Sequence, residues 1–306
     1  MRKIFLVTDY ACNNACISCA KKTGEKGYLS FEEIVKKIDC AKPTKEDHIE
    51  ISGGEPTLRI DFLDICRYIK ANYEAKLIIL SNGRKFKDMG FAKCLKEVGV
   101  DRVMTTFYSP YKKVHDEVTM KRGSFSEAVE GLKNLERIGV PISVKTIILH
   151  QNYRQLPTFV RFAYDTFPSA WVSIHGLIMR GHAKDNKRRI VARYRDIKPY
   201  LEQALDIAIE RDKNLGVFII PTCTIDPFYW QYLSINWKEM TQTMVYISPE
   251  ETVFGNMDVA QLDHCSDCFM RDCCSWAWES AWKEYVELFG TDELNKVTCQ
   301  KSRCVG

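Results

Sequence analysis

The stretch KIFLVTDYACNNACISC, residues 3–19, joins a short apolar run to three closely spaced cysteines. Cys12, Cys16 and Cys19 fall in a CxxxCxxC spacing directly after the apolar residues 4–7. Such a group of thiols in a chain with reduced cysteines indicates metal or redox chemistry rather than a disulfide framework. A 4Fe–4S cluster held entirely by protein takes four cysteines, so three would leave one iron open to another ligand. A zinc site and a loop of incidental cysteines are the alternatives.

The composition is that of an ordinary globular protein. The chain has 306 residues, a formal net charge of +4, 45% hydrophobic residues and 27% charged residues. This length allows one large domain or two, and so mild a charge does not argue for nucleic acid as a partner. No apolar run reaches the roughly 18 residues that span a membrane, and Thr8 and Asp9 end the N-terminal apolar run too early for a signal peptide. The sequence therefore predicts a cytoplasmic protein with no membrane or nucleic-acid partner.

The remaining cysteines predict a second metal site near the C-terminus. Of the 13 cysteines, most lie in two groups at opposite ends of the chain. The second group comprises Cys265, Cys268, Cys273, Cys274, Cys299 and Cys304, with Cys223 upstream. Three more, Cys40, Cys66 and Cys94, lie alone in helical patterns, where buried apolar packing is expected.

An alternation of strand and helix patterns follows the first cysteines. Strands are predicted at 3–8, 48–52, 76–80, 101–107, 142–149 and 171–178, and a further strand at 217–220. Ser30 with Glu33 and Ser124 with Glu127 predict capping boxes, and Pro199 predicts the start of a late helix. Six strand–helix units in a row predict a parallel α/β fold. The cysteines, GGEP (53–56) and SNG (81–83) follow the first three strands, which favours a full or partial barrel over an open sheet.

Two of these motifs together resemble the radical S-adenosylmethionine (radical SAM) superfamily. They are Cys12-x3-Cys16-x2-Cys19 after the first strand and Gly53-Gly54-Glu55-Pro56 after the second. The resemblance covers about residues 3–182 and implies a partial (β/α)6 TIM-like barrel. It departs from the family at Ser18, where an aromatic residue is common.

The resemblance implies a 4Fe–4S cluster on the first three cysteines, whose open iron binds the methionine end of SAM. Gly53 and Gly54 would let the backbone approach SAM closely, and Glu55 would accept hydrogen bonds from its ammonium group. Further candidate cofactor contacts are Pro56, Asn82, Thr106 and Lys145. The last three are equally read as ordinary strand-end polar or surface residues. His115 and His175 are expected to be structural.

The tail is similar to the auxiliary-cluster domains called SPASM or twitch. This similarity implies an auxiliary 4Fe–4S cluster on Cys223, Cys265, Cys268 and Cys274, with Cys273 an alternative to Cys274 and a zinc site an alternative to the cluster. The predicted domains are a barrel at 1–182, a basic linker and helix at 183–215, and a small cysteine-rich auxiliary-cluster domain at 216–306. The helical stripe of Trp278, Trp282, Tyr285 and Phe289 is expected to pack around the cluster.

The predicted function is that of a radical SAM enzyme that abstracts hydrogen from a ribosomally made peptide. The basic segment 180–195 is either a solvated surface or a docking surface for an acidic substrate such as a peptide. A small-molecule substrate, such as a nucleoside, sugar or cofactor precursor, is the alternative. A non-enzymatic zinc or iron–sulfur module is the rival from another class. The expected partners are SAM, the substrate and an electron donor such as flavodoxin or ferredoxin. No N-terminal leader-recognition domain is expected, because the first strand begins at residue 3.

Overall fold

The fold is taken from a computed structural model of the chain. The structure describes residues 2–21, 27–233, 244–255, 262–271, 274, 276 and 279–298. Cys273, Trp278, Cys299 and Cys304 lie outside the described residues. No helix in the described part of the chain is long and apolar enough to cross a membrane.

A parallel sheet flanked by helices organises the described residues, as the alternating pattern predicts. The strands are β1 (Lys3–Val7), β2 (His48–Ser52), β3 (Lys76–Ser81), β4 (Arg102–Thr106), β5 (Ile142–Ile147), β6 (Trp171–His175), β7 (Leu215–Phe218), β8 (Val245–Ile247) and β9 (Thr252–Phe254). The helices are α1 (Phe31–Ala41), α2 (Phe62–Asn72), α3 (Met89–Val98), α4 (Lys112–Thr119), α5 (Ser124–Arg137), α6 (Leu156–Thr166), α7 (Gly181–Asp185), α8 (Lys187–Ile190), α9 (Tyr194–Glu210) and α10 (Glu279–Phe289).

The sheet order is β7-β6-β5-β4-β3-β2-β1-β8-β9. All pairs are parallel except β8 with β9. The α/β fold is confirmed, and β8 and β9 are strands that the sequence pattern does not predict. Strands β7 to β9 lie on both edges of the same sheet, although they come from the C-terminal part of the chain. The three predicted domain boundaries stay a prediction.

Alternation along each strand divides the sheet into an outer and an inner face. Ile4, Ile49, Val144 and Ile174 are fully buried members of the apolar core that includes the helices. Their sequence neighbours therefore point to the opposite, inner face. The carboxyl ends of β1, β2 and β3 lie at one edge, so the loops that follow these strands meet there.

One of the two predicted capping boxes is confirmed and the other is wrong. Ser30 accepts from the Glu33 N–H while the Glu33 side chain accepts from the Ser30 N–H. Ser124 instead lies inside α5 and donates to Asp116 Oδ1 at 2.9 Å. Asp116 also accepts from the N–H groups of residues 123 and 125. A carboxylate on the preceding helix therefore replaces the local cap.

Helix α9 begins at Tyr194 rather than at Pro199, which lies inside the helix. The hydroxyl of Tyr285 accepts from the Tyr194 N–H at 3.0 Å, and Glu293 accepts from the Arg195 N–H at 3.0 Å. These two long-range bonds satisfy N–H groups of the first turn that have no partner within the helix. Pro199 removes one internal hydrogen bond of the helix, but it lies more than one turn after the helix start and does not set where α9 begins.

The basic segment 180–195 forms much of its electrostatic contact within the chain. Lys184 and Lys187 both pair with Glu284 on α10, and Arg193 pairs with Glu293 at 2.8 Å. The Glu284 side chain is only 5% exposed. The two lysines hold the pKa of Glu284 at about 2, below its ordinary value. These ion pairs join the segment to α10 and to the turn that follows it, which reduces the positive charge that the segment offers to a substrate.

We expect Glu284→Gln to lower the free energy of unfolding by about 2 kcal/mol at pH 7, because a buried acceptor of two charged donors loses its charge. Glu287→Gln is the matched control, since Glu287 binds the same Lys187 but its side chain is 63% exposed. A depressed pKa gives stability that is present above about pH 4.5 and lost as the pH falls towards 2. Urea unfolding near pH 4.5 and near pH 2 measures this change in the free energy of unfolding. Equal stability of the Glu284→Gln and Glu287→Gln variants at pH 7 would contradict the role of Glu284.

The lone cysteines and the aromatic stripe are borne out in part. The predicted burial is confirmed for Cys66. It is wrong for Cys40, which is exposed, and for Cys94, which is partly exposed. Tyr285 is 2% exposed, packs edge-on against Trp276 and Phe289, and contacts Tyr194 with tilted rings. The stripe is therefore core packing where it is described.

Candidate functional site

The three N-terminal thiols lie together in the loop after β1. Cys12, Cys16 and Cys19 are close enough that their charges would repel one another. Burial, with a smaller contribution from the neighbouring thiols, raises the pKa of Cys16 to about 12. Cys12 and Cys16 thus resist ionisation on their own. Three adjacent thiols are a donor set that a metal centre stabilises by replacing their protons.

The loop that carries these thiols is fastened to helix α4. The N–H groups of Ala15 and Ile17 donate to the carbonyl oxygens of Thr119 and Val118, each at 3.0 Å. These are carbonyls of the last turn of a helix, which lack partners within it. The cysteine loop therefore has a defined backbone shape.

The two glycines of GGEP pack against the start of the cysteine loop. A Cβ on Gly53 would lie 2.4 Å from the Asp9 carbonyl oxygen, and one on Gly54 would lie 2.1 Å from that of Ala11. Gly53 also has a φ of +141°, which side-chain-bearing residues rarely adopt. The N–H of Gly54 donates to Asp9 and that of Glu55 to Ala11, at 2.9 and 2.7 Å. The close approach that requires glycine here is by the chain's own backbone, and the expected approach to SAM stays a prediction.

Glu55 links the loops after β2 and β3. One carboxylate oxygen accepts from the hydroxyls of Thr57 and Ser81, at 2.6 and 2.8 Å. The other accepts from the Asn82 N–H at 2.6 Å. Glu55 is 1% exposed, and this burial raises its pKa. Pro56 is buried at the first position of the short helical turn that follows. Glu55 therefore holds the two loops in register.

Asn82 connects this link to the cysteine loop. Its side-chain amide donates to Asn13 Oδ1 at 2.6 Å. Arg84 donates to the Asn13 carbonyl and to Asn14 Oδ1, at 2.7 and 2.8 Å, while Glu127 binds its other edge. The structure thus brings Asn82, GGEP and the cysteines together, and Arg84 is a positioning residue that the sequence pattern does not reveal.

Tyr108 lies beside the small residue at position 18. Its hydroxyl lies beside the hydroxyl of Ser18 and the thiol of Cys16, and its ring is buried. Ser18 itself is 4% exposed, and its hydroxyl makes no hydrogen bond within the described residues. An aromatic ring is therefore present at this loop, but it comes from the segment after β4.

Thr106 and Lys145 lie on neighbouring strands. Thr106 ends β4 and is the register partner of Lys145 on β5. The charges nearest to Lys145 are those of Glu50 and Lys3, on the inner face of the sheet. Contact of either residue with SAM stays a prediction. His115 is 2% exposed, and burial lowers its pKa to about 4, which fits the expected structural role.

The four cysteines predicted for the second site line one cavity. Cys223 follows β7, and Cys265, Cys268 and Cys274 face it across a pocket closed by apolar side chains. Burial and the three other thiols raise the pKa of Cys223 to about 12. The N–H of Thr222 points at the sulfur of Cys274 at 3.5 Å, and the Thr222 hydroxyl is buried without a partner. Both are suitable donors to a sulfur-rich group.

Among the described residues, no three His, Cys, Asp or Glu side chains converge on a position that could hold a single metal ion. A 4Fe–4S cubane instead spreads its thiolates over four irons.

Residues 7–163, just over half of the chain, match the sequence profile of the Radical SAM superfamily. The chain belongs to this superfamily. As a radical SAM enzyme it uses a 4Fe–4S cluster and SAM. The thiols of Cys12, Cys16 and Cys19 fit that cluster by their number and proximity.

Similar proteins fall into two groups. A probable GTP 3′,8-cyclase of Sulfurisphaera tokodaii is 30% identical over 162 residues, which are 51% of this chain and 50% of the relative. This radical SAM chain spans about half the length of the curated relatives it matches. SuiB of Streptococcus suis bound to S-adenosylmethionine is 14% identical with a TM-score of 0.64, covering 91% of this chain and 73% of SuiB. SuiB bound to its precursor peptide SuiA is 18% identical with a TM-score of 0.57, and the match covers 71% of this chain and 48% of SuiB. The SuiB likeness shows the fold.

We expect Tyr108→Phe to lower the midpoint potential of the N-terminal cluster by on the order of tens of millivolts. The Tyr108 hydroxyl lies beside the Cys16 thiol, and a hydroxyl that donates to a cluster ligand would stabilise the more negative, reduced state of the cluster. Tyr111→Phe is the matched control, because Tyr111 is 53% exposed. Redox titration followed by EPR measures the shift. The same potential in both variants would show that Tyr108 acts only by packing.

Proposed function

We propose that this radical SAM enzyme cleaves SAM reductively and abstracts hydrogen from a small molecule. When bound, the cluster and SAM supply a 5′-deoxyadenosyl radical, the reactive species of the cofactor. The observation that carries the activity is the convergence of Cys12, Cys16 and Cys19 beside the loop that Glu55 locks. Gly53 and Gly54 let the loop after β2 pack against the start of the cysteine loop. Asn82, after β3, binds Glu55 through its N–H and Asn13 through its side chain.

The same proposal assigns the auxiliary cluster to Cys223, Cys265, Cys268 and Cys274. The shared cavity and the Thr222 donors support it. Four thiolates would close this cluster, so its proposed role is electron transfer or substrate orientation. A low-potential protein such as flavodoxin or ferredoxin is the proposed electron donor.

Two observations favour a small molecule as the substrate. Curated relatives are named as GTP 3′,8-cyclases, and GTP is a nucleotide. The basic segment, which would otherwise suit an acidic peptide, pairs in part with acids of its own chain. A peptide is the second candidate substrate, supported by the likeness to SuiB, whose structure with a precursor peptide is known.

Anaerobic reconstitution tests the proposal. The protein is expected to hold about eight irons per chain, four for each cluster. Dithionite and SAM are expected to yield 5′-deoxyadenosine, and deuterated GTP or guanosine is expected to pass deuterium into that product. Deuterium transfer only from a peptide would replace the small-molecule substrate with the peptide. A colourless protein with two zinc ions would overturn the enzymatic proposal and favour a zinc-binding module.

A further inference from the structure

The linking segment, residues 179–190 after β6, contacts the N-terminal cysteine loop. The Ala183 N–H donates to the Cys19 carbonyl oxygen at 3.0 Å. The side-chain amide of Asn186 donates to the Ile17 carbonyl oxygen at 3.1 Å. Helix α4 binds residues 15 and 17 of the loop, and the linking segment binds the end that carries Cys19.

The other side of the linking segment is fastened to α10. The Met179 N–H donates to the Ser280 carbonyl oxygen at 2.7 Å. The Lys184 ammonium lies 2.8 Å from Glu284 Oε1, and Lys187 pairs with the other oxygen of the same carboxylate. Because the Glu284 side chain is 5% exposed, these pairs are screened less than surface pairs would be. The linking segment therefore joins the cysteine loop to a helix of the C-terminal part of the chain.

Helix α10 in turn adjoins the cavity of the four auxiliary cysteines. The Trp276 side chain lines that cavity, and its ring packs edge-on against Tyr285 of α10 with centroids 5.7 Å apart. The described residues of the stretch 262–276 contain one short helical turn, Asp263–Cys265, and no other helix or strand. A cysteine-rich stretch with so little regular structure depends on its bound metal for order. The packing of Trp276 against α10 therefore depends on whether the auxiliary site is filled.

We propose that the linking segment couples the two sites, so that a filled auxiliary site helps to hold Cys19 at the N-terminal cluster. Filling the auxiliary site fixes Trp276 against α10, and α10 fixes the linking segment through Glu284. The segment then holds the Cys19 end of the cysteine loop. Glu284 is accordingly a positioning residue that acts on the cluster through other residues. This inference rests on the proposed function, from which it takes the auxiliary metal site.

Release of iron from the anaerobic holoenzyme to a chelator tests the coupling. SAM binds only a cluster with an open iron, so the EPR signal that changes on adding SAM reports the N-terminal cluster. We expect Cys268→Ala, which loses the auxiliary metal, to lose this signal about five- to tenfold faster than the wild type. Glu284→Gln should lose it at a similar rate although its auxiliary site is filled. The double variant should be no faster than either single variant, because both substitutions break the same connection.

Three further variants separate the coupling from a general loss of stability. Glu287→Gln should behave as the wild type, because Glu287 binds Lys187 at 2.7 Å but its side chain is 63% exposed. Ile38→Val removes a buried methylene from α1 and lowers stability away from the linking segment, so it should also keep the wild-type rate. Lys187→Met should accelerate the loss of the signal, whereas Lys187→Arg, which keeps the charge, should not.

The outcomes distinguish this inference from the proposed function. Equal rates in the wild type and Cys268→Ala would overturn the coupling, as would a double variant whose acceleration is the product of the two single effects. Acceleration by Ile38→Val equal to that by Glu284→Gln would reduce Glu284 to a structural role and overturn it too. Zinc in the second site would change the proposed function but not this test, because Cys268→Ala removes either metal. Coupled sites in a protein that never cleaves SAM would refute the proposed function alone.

Discussion

Cys16→Ala is expected to abolish release of 5′-deoxyadenosine and to reduce iron from about eight to about four per chain. Cys16 lies between Cys12 and Cys19 in the loop and is partly exposed beside Tyr108. Cys12 and Cys19 are themselves ligands of the same cluster, so no other thiol in the described loop is left to replace it. A cluster with two protein thiolates has lost a third of its protein bonds. Iron assay, EPR of the reduced protein and chromatography of the nucleoside product measure the three consequences.

Two matched variants show whether the effect belongs to this site. Cys40→Ala removes an exposed thiol on α1 and is expected to keep all the iron and full SAM cleavage. Cys268→Ala is expected to lose the auxiliary cluster while leaving SAM cleavage partly intact, uncoupled from substrate. Undiminished 5′-deoxyadenosine from Cys16→Ala would refute its assignment as a ligand. Equal loss of SAM cleavage in Cys16→Ala and Cys268→Ala would contradict the separate roles of the two sites.

Gly54→Ala is expected to lower stability by about 3 kcal/mol and SAM cleavage by a hundredfold or more. The added Cβ would lie 2.1 Å from the Ala11 carbonyl oxygen and 2.5 Å from its carbon. Both are backbone atoms, so the clash cannot be relieved by turning a side chain. Moving the strands apart would break the Glu55 N–H bond to Ala11 and misplace Cys12. Thermal unfolding and single-turnover SAM cleavage measure the two effects.

Gly90→Ala is the control for this substitution. Gly90 lies in the first turn of α3, where its added Cβ would approach only the side chain of Asp88, at 3.2 Å. Its effect on stability should stay within about 1 kcal/mol, because alanine is the better helix former. A Gly54→Ala enzyme with wild-type stability and SAM cleavage would show that the two loops can separate without harm.

The sequence is enough to predict the strands and the two central motifs because both are local. The apolar runs of β1 and β3 are bounded by polar residues, and CxxxCxxC and GGEP are each contiguous. The contacts between these motifs, in contrast, join residues that are distant in sequence. The sequence suggests that Gly53 and Gly54 make room for SAM, whereas the structure shows them against the backbone of residues 9–11.

The errors at the starts of α5 and α9 share a physical cause, which is competition from distant residues. Asp116 takes over the capping that Ser124 offers to α5, and Tyr285 and Glu293 fix the start of α9 ahead of Pro199. Tyr108 lies far in sequence from Ser18, so no local pattern could link them. Long-range partners such as these are invisible to a reading of spacing and propensity.

The anchoring of the cysteine loop bears on what happens after the enzyme meets oxygen. Helix α4, Asn82 and Arg84 hold the loop by hydrogen bonds that involve no metal. A chain that has lost its irons therefore keeps its three thiols near their working positions. Refilling such a site does not require the loop to be ordered anew, so little conformational entropy is lost when iron and sulfide return. Iron lost from this centre can in that sense be replaced without refolding, provided that the three thiols are reduced.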